Sequence, residues 1–509
     1  MALFPEKAVP VRTEKDNLGS VLLGNRILAD QTLMEYLIEF LLVFCSAKSK
    51  GEDGEWQGQM QFHTPEQVRD TKLPFYVKTN VALRRFIFYD RSKLDSRSRI
   101  DTLANNNMKD LLKSKAEAQE DVDLIHDLLL SYTVITRNRG WYAQALMPVA
   151  SELILPELQG IKKRQAMDPR DVSDSKLVDA KFDFDKHNFL ARGGQVLYLH
   201  LLQGMVQDPE LDRKYRTRLE RLLQNMLCGS GERIDQLAGF VQQEWEASRE
   251  DEGKEDAYRL KPFNMGYIRE EYAIRGERFL QEITGFLSND IHPIARIELL
   301  AQGMVLSLLR VMHIVAARSL DPNGGEPLWI MDLSNQGGTS NIARISAQSC
   351  ADAYDAFQSA LMKLCVEAGI EESKRFAAVQ KAKKNSGDVF KRLGKEIKLI
   401  IPPRGSYERF SLSEPLVRYL VLALVPPASK ITLDTFLDKL YEHFRIVIGP
   451  EQYRKAAAER RETVLKEMSD YYLRNQQGFQ DYLKRCGFLR DLSDATAIVE
   501  NPYREVQIE

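Results

Sequence analysis

Cysteine is scarce in this chain: five among 509 residues, at positions 45, 228, 350, 365 and 486, with an odd total and no CxxC pair. That spacing argues against a disulfide framework and against a cysteine-built zinc site, and it fits a reducing compartment. The seven histidines are scattered, without the close pair that a metal-binding helix would offer, so no metal site is expected. Absent too are the phosphate-binding GxxxxGK[ST] loop, the HExxH helix and the GxSxG turn. The expected cofactor list is therefore empty. The opening MALFPEKAVPVRTEKDN lacks the apolar core of a secretion signal. The most apolar early run, Leu33 to Phe44, is too short for a bilayer and is interrupted by Glu35 and Glu39. A buried helix in a cytoplasmic protein, with no membrane contact, is the expectation. Charge of one sign is missing as well: 71 basic and 73 acidic residues leave a net of -2, so any basic surface must be local.

What is present is globular in composition, 44% hydrophobic and 28% charged, and long enough for two to four domains. The patterning predicts a mainly α, multi-domain chain with a few short strands and a C-terminal winged helix-turn-helix-like domain. Four consecutive regions are expected: 1–115, α+β with a basic, aromatic segment; 116–180, helical and ending in a linker; 181–399, a central helical domain with a strand-loop-helix insert; and 400–509, the winged-helix-like part. Leu73 to Arg91, rich in β-branched and aromatic residues, suggests strands. Helical spacing is read at Leu33 to Cys45, from Asp121, across WYAQALMPVASELILPEL (141–158), over most of 195–227 and 268–320, and from Asn341 to Ala368. Near the end, apolar residues at 433, 436, 437, 440, 441 and 444 mark a one-faced helix capped by Thr432. GFLRDLSDATAIVENPY then reads as two short β-runs turning at Ser493-Asp494.

Two constellations could carry chemistry. In DFDKHNFLARGGQ, Asp183, Asp185 and His187 alternate, so an extended chain would turn all three to one side, as metal ligands can be. Arg192 and Gly193-Gly194 then lead into an apolar helix whose free N–H groups could hold a phosphate. In WIMDLSNQGGTSNIARISAQS, Asp332 closes a short strand, Gly337-Gly338 form a loop, and Arg344, Ser346 and Ser349 follow on a helix. Asp183, Asp185, His187 and Asp332 are thus the residues of a nuclease or nucleotide-processing alternative. The simpler reading is favoured for both: a turn before an apolar helix with His200 in the core for the first, and a turn before a hydroxyl-capped helix for the second.

Basic stretches point to polyanions. From Arg69 to Arg99, nine Lys/Arg face three Asp among aromatic residues, and Arg84 and Arg85 are candidate phosphate contacts. From Lys374 to Lys398, nine Lys/Arg face two acids, with Lys383 and Lys384 as candidates. On the helix expected over 453–474, Arg454, Lys455, Arg460 and Arg461 could reach phosphates, as could Arg490 on the wing.

The blocks FDKHNFLARGGQVLYLHL and LVRYLVLALVPPASKITLDTFLDKLYEHFRIVIGP…GFLRDLSDATAIVENPY resemble uncharacterised accessory subunits of multi-gene bacterial anti-phage defence systems linked to DNA modification. The resemblance implies a non-enzymatic role, partnership with DNA and with separate ATPase, methylase or nuclease subunits, and no catalytic residues. A DNA-associated subunit of a multi-protein complex is the leading expectation. A pure protein scaffold is the third.

Overall fold

The computed structural model describes residues 3–8, 18–28, 31–78, 80–90, 99–134, 143–160, 182–188, 192–228, 232–248, 261–269, 273–334, 340–462, 466–493 and 496–508. The chain is mainly helical, with strands gathered in small two- and three-stranded sheets. It forms two compact units, each built from separated stretches: Met1–Tyr36, Gln195–Leu222 and Gly266–Glu509 in one, Leu37–Gly194 and Leu223–Met265 in the other. These lines run differently from the four consecutive regions drawn from the sequence, because helices far apart in the chain share a core.

The larger unit is built around the helix Pro293–Leu320, whose sequence is apolar on every side. Among the described residues it is the one helix long and apolar enough to cross a membrane, and 89% of its most apolar window is buried by protein. A helix with no polar face belongs in a core. Helices Ala273–Leu287, Asn341–Glu367, Gly387–Glu396 and Glu414–Leu424 pack around it. Two glycines set how closely they pack: a Cβ on Gly285 would lie 2.3 Å from the Ala423 carbonyl oxygen, and one on Gly303 2.0 Å from the Tyr419 ring.

This core also holds charge. Arg275 and Glu282 form a bidentate ion pair, 1% and 0% exposed, with one N–O contact of 2.7 Å. Arg275 also donates to the Ser307 hydroxyl and the His443 carbonyl. Burial alone would raise the Glu282 carboxyl, but Arg275 and His443 hold it below its ordinary value. Glu326 binds Arg278 at 2.8 Å and Arg310 at 3.2 Å. His313 accepts a hydrogen bond from the Trp329 indole at 2.9 Å, and burial pushes its pKa down to about 3, with Arg310 adding to the effect. Burial does the same to His200, which sits in the core as expected.

The last hundred residues belong to this unit. The helix Leu433–Phe444 buries the six apolar positions its spacing marked, and Thr432 accepts from the Thr435 N–H as its cap. The stretch 453–474 is not one helix, as expected, but two: Pro450–Arg460 ends at Arg461 in the left-handed conformation, and Lys466–Arg485 follows. Leu489–Ser493 and Thr496–Glu500 pair antiparallel, and Lys430–Thr432 adds to the latter, giving the strand order first, third, second. Trp329–Ile330 pairs in parallel with Ile446–Val447, tying this region to the middle of the chain. Buried Asn475 completes the tie. Its Nδ2 donates to the Met331 and Ile448 carbonyls at 2.9 and 3.0 Å, and its Oδ1 accepts from Leu333 N–H at 2.7 Å.

In the other unit, two expectations are corrected. The 73–91 segment is a strand only at Pro74–Val77, paired with Lys261–Asn264; Val81–Phe88 is a helix with all eight residues buried. Full burial removes the surface on which β-propensity acts, so packing decides the conformation. The 141–158 stretch is no α-helix among its described residues: Ser151–Leu153 make one 3-10 turn and Glu157–Gly160 a strand. Pro148 and Pro156 both remove backbone donors there.

Two outcomes follow from the buried ionisable groups. His200 and His313 stay neutral when folded but charge in the unfolded chain, which binds more protons between about pH 3 and 6.5. Stability therefore falls as pH drops below about 6.5, by about 1.4 kcal/mol per pH unit for each histidine. Urea midpoints at pH 7.5 and 5.5 measure this, and His313→Gln should remove about half of the difference. Glu282→Gln leaves Arg275 buried without its counter-charge and should cost about 3–5 kcal/mol in the same assay at pH 7.5.

Candidate nucleic-acid interface

The Gly193-Gly194 turn opens the helix Gly193–Gln207, as its sequence suggested. Its anion, however, comes from the chain itself. The buried Glu39 carboxylate accepts the Gly194 N–H at 3.2 Å, so a protein oxygen holds the place where a phosphate could have docked. Arg192 beside it is half-buried. The backbone of Asp183, Asp185 and His187 lies in the strand Phe182–Asn188, paired with Glu157–Gly160, while their side chains lie outside the described residues.

The second constellation is also largely structural. Asp332 is 7% exposed and pairs with Arg409 Nε at 2.7 Å, and its other oxygen accepts from the Ser334 hydroxyl at 2.9 Å. Ser346 Oγ accepts from Phe410 N–H and donates to the Phe410 carbonyl, at 2.9 and 3.0 Å. Ser349 Oγ bonds the Leu328 carbonyl and the Ile330 N–H in the same way. These hydroxyls finish strand edges, and the nearest histidine in sequence, His313, is committed to Trp329. Gly337 and Gly338 lie outside the described residues. A cleft of about 210 Å³ opens beside Asp332, lined also by Arg409, Ser411, Tyr482 and Arg485. Neither Arg409 nor Arg485 was singled out from the sequence, since 77 and 153 residues separate them from Asp332 and no local pattern links them.

The basic candidates divide by what the fold does with them. Arg84 and Arg85 are fully buried, which corrects their reading as phosphate contacts; Arg84 bonds the Gln144 and Pro156 carbonyls. Arg454 pairs with Glu451, Lys455 with Asp438 at 2.7 Å, and Arg490 with Glu500. Elsewhere in the 374–398 run, Lys374, Lys391, Arg392 and Lys395 all hold carboxylates. Among the described residues, Arg344, Lys383, Lys384, Arg460 and Arg461 have no carboxylate at ion-pair distance, and Lys383 alone of the five is not fully exposed.

Residues close in sequence to Arg344 and to Arg460 meet in one cluster. Ile342 packs with Tyr441, Val447, Ala456 and Tyr472, and Ile345 and Tyr453 cover it. The start of the helix Asn341–Glu367 thereby joins the helix Pro450–Arg460, which ends at Arg461.

Asp332→Ala should destabilise by about 2–3 kcal/mol, because it strips the largely buried Arg409 of its counter-charge at the edge of the cleft. Chemical denaturation measures this, and an unchanged midpoint would contradict a structural role for the pair. Against known proteins, no family model, curated protein or solved structure matches this chain.

Proposed function

We propose that this protein is a non-enzymatic, cytoplasmic, nucleic-acid-associated subunit of a multi-protein complex, with a winged helix formed by its last hundred residues. The observation that carries the reading is the set of five cations with no carboxylate partner among the described residues, Arg344, Lys383, Lys384, Arg460 and Arg461, whereas three of the other six candidates are ion-paired and two are buried. Free guanidinium and ammonium groups release counterions when they meet phosphates. The strand order of the terminal sheet and the helix just before its hairpin support a winged helix.

That helix bears on how DNA would be held. Among the described side chains of Lys466–Arg485, exposed Glu467, Asp470 and Asp481 balance exposed Arg474, Lys484 and Arg485. A face with as many carboxylates as cations reads bases poorly, so contact runs through the phosphate backbone and carries little sequence preference. The same face, with Leu473 47% exposed, suits a protein partner, and an ATPase, methylase or nuclease subunit of a defence system is the kind proposed.

Fluorescence anisotropy of the intact chain with labelled duplex DNA tests this across a salt series. Binding should weaken with salt at a log–log slope of about -3 to -5. Arg460→Ala with Arg461→Ala should lower that slope by about 2, equally for unrelated sequences. No binding at about 50 mM salt, or a slope untouched by this variant and by Lys383→Ala/Lys384→Ala together, overturns the proposal and leaves a protein scaffold.

A further inference from the structure

The unit that includes Leu37–Gly194 carries an open pocket of about 450 Å³, within the size range of small-molecule sites. Its lining gathers Trp56, Tyr76, Lys78, Asn80, Glu152 and Glu246. Trp56 and Tyr76 meet with ring centroids 4.6 Å apart and planes tilted by 49°, and neither is fully buried. Both line the pocket, and the Trp56 ring already receives the Lys50 ammonium.

The polar groups are held in place and are rich in acceptors. Asn80 stands between the strand Pro74–Val77 and the helix Val81–Phe88 in the left-handed conformation, φ 44 and ψ 47. Asparagine tolerates that region better than most residues, and backbone held there is common at ligand sites. Asn80 is 4% exposed, and its Nδ2 donates to Glu152 Oε2 at 3.3 Å. Its Oδ1 has no hydrogen-bond partner. Glu152 is presented by the 3-10 turn Ser151–Leu153, which Asp235 fixes by accepting the Glu152 N–H at 2.9 Å and the Ser151 hydroxyl at 3.3 Å. Glu246 uses one oxygen for the Gln242 amide, at 2.7 Å. Against two carboxylates the lining sets one cation, Lys78, 3.9 Å from Glu152, while Lys50 Nζ lies over the Trp56 ring at 5.5 Å. A pocket whose lining carries net negative charge repels phosphates.

We infer that this pocket binds a small organic cation bearing several N–H donors, a guanidinium or alkylammonium head group, with Trp56 and Tyr76 against its face and Glu152 and Glu246 accepting its protons. Aromatic rings beside carboxylates are the arrangement that such cations favour. Cys45, also in the lining, is no nucleophile toward the ligand, because burial pushes its thiol up to about 12. The head group has two sources: a free amine, or an arginine side chain offered by a peptide. This inference is independent of the polyanion surface proposed above.

Calorimetric titration of the full chain with agmatine, with a short arginine-containing peptide, and with adenosine monophosphate tests it, with tryptophan fluorescence as a second readout. Saturable agmatine binding supports a free amine as the source; binding of the peptide alone supports a side chain. In either case Glu152→Gln, which keeps an acceptor for Asn80, should weaken binding about tenfold or more. Trp56→Leu should weaken it as well and abolish the fluorescence change. Unfolding midpoints confirm that both variants fold. Absence of binding by both cations at millimolar concentration, preference for the nucleotide, or cation binding unaffected by either variant overturns the inference.

Discussion

Arg275 and Glu282 are a full ion pair taken almost entirely out of water, and the larger unit is arranged around keeping them together. Such a pair adds little net stability over an apolar replacement, but it tolerates few geometries. Here it fixes the Ala273–Leu287 helix against Ser307 of the central helix and against His443 of the Leu433–Phe444 helix. A second set continues from it. Glu326 draws in Arg278 and Arg310, and Arg310 lies over the Trp329 ring at 5.2 Å. Arg445, left-handed at the end of the Leu433–Phe444 helix, passes the chain of charges to Glu459 at 3.0 Å. Each link has both signs, so the helices can be neither rotated nor slid without stranding a charge.

That internal use of charge explains why a sequence with 71 basic residues offers so few uncommitted candidates among the positions considered. Arginine is suited to both roles, since its planar fork binds backbone carbonyls and carboxylates inside a fold as well as phosphates outside it. Arg84 serves two carbonyls in the core, whereas Arg460 and Arg461 sit where a helix ends and solvent begins. The distinction is one of environment, and it is what separates a basic composition from a basic surface.

Legibility from sequence followed the range of the forces involved. The Leu433–Phe444 helix could be read because its apolar spacing and the Thr432 cap lie within one turn of each other. The start of Asn341–Glu367, capped by Ser340, and the terminal hairpin were legible for the same reason. The 73–91 segment was not, because aromatic and basic residues at that density fit a surface strand and a buried helix equally, and only partners from residues 144, 156 and 242 decide between them. Likewise Glu39, 155 positions before Gly194, occupies an anion position that looked open in the local sequence. The acceptor-lined pocket was invisible, since Trp56, Asn80, Glu152 and Glu246 form no motif until the chain has folded.

The position of Asn475 has a wider consequence. One carboxamide answers three backbone groups from two earlier stretches of chain, and a Cβ on neighbouring Gly478 would stand 2.1 Å from the Leu333 carbonyl oxygen. The terminal helices are therefore tied to residues 331–333 by hydrogen bonds and close packing at once. A load pulled on the last strand, by a bound polymer or a neighbouring subunit, arrives at residues 331–333 and the central helices behind them. What resembles an appended module is mechanically the far end of the core.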